Sequence, residues 1–97
     1  MLFAVHARDR DKGLDIRLAN RDAHIAHLQS IGDRLKFAGP LLDDEGAMCG
    51  SLLILDAESR DELQTWLDSD PYQLAGLFST VTVTGIKPLL GSMAGAL

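Results

Sequence analysis

Four apolar residues in direct succession, Leu52, Leu53, Ile54 and Leu55, lie between Gly50-Ser51 and the polar Asp56. A short apolar run bounded in this way suits a strand, where consecutive side chains point to opposite faces. Such a strand needs apolar cover on both sides of its sheet. Leu2, Phe3, Ala4 and Val5 repeat the pattern near the N-terminus. The chain must therefore build a sheet whose central strands are covered twice, once by its own helices and once by something else.

Two helices are available for the first cover. Asn20 stands as N-cap before Arg21, and Ile25, Leu28, Ile31 and Leu35 recur at spacings of three or four, one face of an amphipathic helix that ends near Gly32 and Asp33. A turn of helix over Leu14 to Leu18 precedes it. The second helix starts at a capping box, Ser59 with Glu62, carries the stripe Leu63, Trp66 and Leu67, and stops at Asp70 before Pro71. Between the helices, Leu35 to Leu42 reads as a strand, the polar stretch Asp43 to Gly46 as a turn, and Gly50 to Leu55 as the strand that completes a hairpin. Pro40 has no N–H to donate, so it belongs at an edge, a bulge or a strand end. After a short turn through Tyr72 to Gly76, Leu77 to Ile86 alternates Thr80, Thr82 and Thr84 with Val81 and Val83 and forms the fourth strand. The tail, about 89–97, reads as flexible.

This order predicts an α+β ferredoxin-like βαββαβ sandwich, a four-stranded antiparallel sheet with two helices on one face. The uncovered face predicts a homodimer in which a second copy supplies the missing layer. At 97 residues the chain suits one domain, 1–97. With 14 acidic against 9 basic residues, a net charge of −5 and no basic cluster, neither nucleic acid nor an acidic membrane surface is expected as a partner. Met1 to Asp9 lacks a basic leader and is too short for a signal core or a membrane span, which predicts a cytoplasmic protein. A lone Cys49 cannot form an internal disulfide, in keeping with a reducing compartment.

His24 sits next to Ile25 and four residues before Leu28, on or beside the buried helix face, where it is either a core histidine satisfied by a backbone carbonyl or a functional group. Counted from Leu63, positions 66, 67 and 70 share a helical face. Asp70 would then point toward the core beside the negative pole of its helix, a conflict of the kind that active sites tolerate. Capping of the turn before Pro71 is the alternative. If His24 and Asp70 converge, they form a base with its orienting carboxylate. His6, His24 and His27 are the candidate metal ligands. His27 is expected to face solvent and no cysteine or carboxylate cluster completes a set, so no metal is assigned. Ser51 lacks a nucleophile elbow and suits hydrogen bonding to a ligand or the backbone. No glycine loop suits a nucleotide phosphate, Gly39 and Gly46 read as backbone devices, and no cofactor is assigned.

The run Arg21 to Leu28, then Gly39-Pro40, Gly50-Ser51, Asp70-Pro71-Tyr72 with Gly76, and Lys87-Pro88 resembles the YciI-like (YCII-related) family in order and spacing, from about Leu2 to Pro88. The resemblance implies a ferredoxin-like fold, a dimeric α/β barrel assembly, and an active site whose histidine and aspartate map onto His24 and Asp70. It also implies that some relatives carry out dehydrochlorinase-type lyase chemistry on hydroxylated aromatics. The chain departs from the family pattern at Ile25, where leucine is more usual, and in the acidic turn Asp43 to Gly46. The leading expectation is a small cofactor-free enzyme of lyase or isomerase type. In it His24 exchanges a proton with a small organic molecule, Asp70 fixes the imidazole tautomer, and Arg21, Ser51 and Tyr72 line the pocket, Arg21 as a carboxylate or phenolate partner. The rival expectation is a non-catalytic dimeric module that uses the same pocket to hold a metabolite or to meet another protein.

Overall fold

The computed structural model describes residues 1–97. Its elements are β1 (Leu2–Asp9), α1 (Leu14–Ala19), α2 (Arg21–Gln29), β2 (Leu35–Leu42), β3 (Met48–Asp56), α3 (Arg60–Asp68), α4 (Pro71–Leu74) and β4 (Phe78–Gly85). The strands form one antiparallel sheet in the order β2-β3-β1-β4, with the two doubly apolar strands at its centre. This is the ferredoxin-like α+β fold.

Register decides which side chains meet the helices. Phe3 lies opposite Leu55 and Val5 opposite Leu53, and these four turn inward against Leu28, Leu63 and Leu67 to form the core. Burying each such side chain is worth about 1.5–3 kcal/mol, which is why one set of alternate residues can hold the helices on the sheet. The intervening residues face the other way. Ala4 pairs with Ile54, His6 with Leu52, and Phe37 of β2 with Ile54 from the far side. Ile54 and Leu52 are only half-buried and Phe37 is exposed, so an apolar strip runs across β2, β3 and β1 on the helix-free face. Toward β4 the same face turns polar, with Thr80, Thr82 and Thr84 opposite Arg8, His6 and Ala4.

Pro40 falls in β2, an edge strand, where a missing N–H costs no ladder bond on the open side. Gly50 is required at the β1–β3 contact, because a Cβ there would lie 2.4 Å from the Ala7 carbonyl oxygen. Ser59 caps α3 by accepting the Glu62 N–H at 3.1 Å.

Two expectations about helices are corrected. α2 ends at Gln29, and Gly32 follows with a φ of +57, which starts a short 3₁₀ turn over Gly32–Arg34. Ile31 and Leu35 therefore reach the core from a turn and from β2 and not from a continuing helix face. Tyr72 to Gly76 is not a plain turn, since Pro71–Leu74 makes one more helical turn, α4.

Candidate functional site

α2 buries two residues, Leu28 and His24, and the latter faces the segment where α3 gives way to α4. Asp70 is not on the α3 face as the helical count suggested. α3 ends at Asp68 with Ser69 as its C-cap, and Asp70 has an extended backbone (φ −63, ψ 128) as the N-cap of α4. Its Oδ1 accepts the Tyr72 backbone N–H at 2.9 Å and His24 Nδ1–H at 2.8 Å. The carboxylate therefore caps a helix and binds the imidazole with one oxygen. Both side chains are buried, His24 at 6% and Asp70 at 2% exposure.

A carboxylate can only accept, so Nδ1 carries a proton, and in the neutral ring Nε2 is then the nitrogen with the lone pair. Nε2 has no protein partner. Trp66 Nε1 is the one side-chain nitrogen or oxygen that is both sealed from solvent and unpaired, so His24 Nε2 must reach open space. The arrangement fixes one ring nitrogen on a buried carboxylate and leaves the other accessible.

Tyr72 builds the next layer. Its ring stacks on His24 at 3.8 Å between centroids and meets Phe78 edge-on. The Arg17 guanidinium stands over the same ring at 4.9 Å. Burial raises the phenol pKa above its ordinary value; the Arg17 charge pulls it down and the Asp70 charge adds to the rise, and burial prevails.

Arg17 is a site residue that the sequence pattern does not mark. It is the sole buried residue of α1, a helix that hides its arginine while Leu14 and Leu18 stay exposed. The cause lies at the end of β1, where the register shifts between Arg8 and Asp9. Asp9 accepts Arg17 Nε–H and Nη2–H at 2.8 Å each, a bidentate pair, and Nη2 also donates to Ser51 Oγ at 2.9 Å. Burial works against the guanidinium charge, but the hydrogen bonds and charge of Asp9 outweigh it, so the Arg17 pKa sits above its ordinary value. A readable signal existed in Asp9 and Arg17, opposite charges flanking a glycine turn, but only the fold shows them buried.

A cleft of about 260 Å³ opens over these groups, lined by Arg17, Arg21, His24, Ser51 and Tyr72 with apolar walls that include Leu28 and Pro40. The structure thus brings together all five residues expected at a site: His24, Asp70, Ser51, Tyr72 and, at the exposed rim, Arg21. Asp70 stands behind His24 and borders a smaller chamber of about 50 Å³ on the other side. His27 departs from expectation. It stacks on Trp66 at 4.5 Å and its Nε2–H donates to the Trp66 carbonyl at 2.9 Å, so it is a packing group between α2 and α3.

A ferredoxin-like domain that fixes one imidazole nitrogen on a buried carboxylate and opens the other to a cleft defines a class of small one-site domains. Within that class the chain belongs to the YCII-related domain family, whose model matches residues 1–87. Protein YciI of Escherichia coli O6:H1 is 40% identical over 95 residues, which covers 90% of this chain and 97% of that protein. Among solved structures, 5-chloro-2-hydroxyhydroquinone dehydrochlorinase (TftG) from Burkholderia phenoliruptrix AC1100, in complex with 2,5-dihydroxybenzoquinone, superposes with a TM-score of 0.83 at 37% identity, covering 90% of this chain and 94% of TftG. Rv0793 from Mycobacterium tuberculosis shares the fold alone, with a TM-score of 0.52 at 20% identity over 94% of this chain and 96% of that one. No helix is long and apolar enough to cross a membrane.

Proposed function

We propose that this protein is an enzyme of lyase or isomerase type that acts on a small hydroxylated organic molecule, with His24 as the proton-transferring group and Asp70 as the residue that orients it. The observation that carries the reading is the His24–Asp70 pair itself: Nδ1–H is held at 2.8 Å on a carboxylate oxygen that is also fixed by a backbone N–H, and Nε2 is left free. Asp70 holds the productive tautomer and stabilises the imidazolium that forms. Likeness to TftG supports an eliminating reaction on an aromatic substrate. In such a step Nε2 takes a proton, a leaving group such as chloride departs with the electrons of its bond to carbon, and the substrate loses HCl in sum. Ser51 and Tyr72 supply hydroxyl groups to the cleft and Arg21 a cation at its rim. A second copy of the chain, packed on the apolar strip of the helix-free face, completes the assembly.

The test is chloride release from 5-chloro-2-hydroxyhydroquinone by the purified protein and its His24→Asn variant. Release by the first and not the second supports the reading. Saturable binding of 2,5-dihydroxybenzoquinone with no turnover of any chlorinated or hydroxylated substrate would make the cleft a binding site without catalysis.

A further inference from the structure

The cleft is electrostatically unlike the rest of the chain. The protein carries a net charge of −5, yet the ionisable groups lining the cleft are Arg17, Arg21, His24 and Tyr72, and no carboxylate is among them. Arg17 is the most informative of these. Nε and Nη2 are spent on Asp9 and Ser51, while Nη1 has no partner in the protein. Nη1 is not sealed off, because Trp66 Nε1 alone is both buried and unpaired, and the open space that Arg17 borders is this cleft. Tyr72 lines the same cleft beside the guanidinium, and a hydrogen bond between its hydroxyl and Arg17 offsets part of the rise that burial gives the phenol pKa. Two hydrogen-bond donors, one of them cationic, thus meet between apolar walls supplied by Ile25, Leu28, Met48 and Leu53. A volume of about 260 Å³ lies just below the usual range of ligand sites and suits a single ring.

We propose that Arg17 is the anchor of the ligand, its free Nη1–H binding an anionic oxygen, so that the cleft selects small flat organic anions over neutral molecules of the same shape. This rests on reading the cleft as the ligand site but not on His24 acting as a base. Asp9 has a double part: it keeps the guanidinium buried with its fork held rigid, and it offsets part of the charge that the ligand meets. The anionic oxygen can belong to a carboxylate or a phenolate, which share this chemistry.

The experiment is calorimetric titration of the full chain with benzoate, 4-nitrophenolate and the neutral benzamide. A charge-assisted contact in a desolvated site predicts that at least one anion binds about tenfold or more tightly than benzamide, and which anion binds tighter identifies the source. Asp9→Asn should increase the preference, since it unmasks the guanidinium, whereas a purely structural Arg17 would give no increase. Arg17→Gln combined with Asp9→Asn, which removes both charges without leaving either alone, should abolish it. Equal binding of anions and benzamide by the unmodified protein, or an unchanged preference in Asp9→Asn, overturns the proposal. His24→Asn should keep the preference. In the unmodified protein, a preference for anions with no turnover of any chlorinated or hydroxylated substrate would sink the proposed catalysis and leave the anchor standing, and turnover without preference would do the reverse.

Discussion

Replacing Asp70 separates two jobs that one oxygen performs. In Asp70→Ala the Nδ1–H of His24 loses its acceptor inside a buried site and α4 loses its N-cap. An unsatisfied buried donor costs about 1–3 kcal/mol and a lost cap about 1 kcal/mol, for a total of about 2–4 kcal/mol. For a domain of this size that lowers the melting temperature on the order of 10–30 °C. Asp70→Asn behaves differently. The Tyr72 N–H requires an oxygen at the Oδ1 position, so the amide oxygen stays there and can still accept from His24. Only the charge is lost, at about 1 kcal/mol, since a charge-assisted bond becomes a neutral one. Urea unfolding followed by circular dichroism, at fixed protein concentration so that subunit association does not vary, measures both variants. An alanine variant within about 1 kcal/mol of the parent, or an asparagine variant as damaged as the alanine one, would refute the shared-oxygen account.

Tyr72 is the sole tyrosine, so phenolate absorbance reports it alone. Its folded pKa is raised, so the stability it contributes is fully present below the unfolded value of about 10 and is lost as the pH rises through the folded pKa; alkaline unfolding should set in above pH ~10, with phenolate appearing later in the folded protein than in the unfolded. On the sheet, Leu53→Asp should prevent folding because Leu53 is in the core, whereas Leu52→Asp on the opposite face should leave a folded monomer. Sedimentation reads the difference, and a Leu52→Asp dimer would count against an interface of standard size, about 1,200–2,000 Å², on that face. Gly50→Ala should cost about 1–3 kcal/mol by forcing β1 and β3 apart at Ala7, and a thermal melt equal to the parent's would contradict the close approach.

Much of this architecture could be read from local pattern. The alternation in β1 and β3, the Ser59–Glu62 cap and the threonine ladder of β4 are properties of neighbours in sequence, and the chain honours them. His24 and Asp70 were legible as residues out of place in their surroundings. The reason for Asp70 was not, because α3 stops at Asp68 and the carboxylate belongs to the start of α4. An extra turn of four residues beginning at a proline leaves little periodicity to detect. Arg17 stayed hidden for a different reason. An arginine between Leu14 and Leu18 reads as solvated, and its burial depends on Asp9 and on Ser51, which is 34 residues away and reaches it only through sheet pairing. His27 shows the same dependence, since its partner Trp66 lies on another helix.

The stack of His27 on Trp66 gives the molecule an optical gauge of its own opening. Trp66 is the only indole in the chain, and His27 lies one helical turn from His24 on α2. A fluctuation that lifts α2 away from α3 and the start of α4 together unstacks the indole as it draws the imidazole of His24 off its carboxylate. Tryptophan emission, recorded with no label, therefore tracks the assembly of a site to which the tryptophan itself contributes no atom.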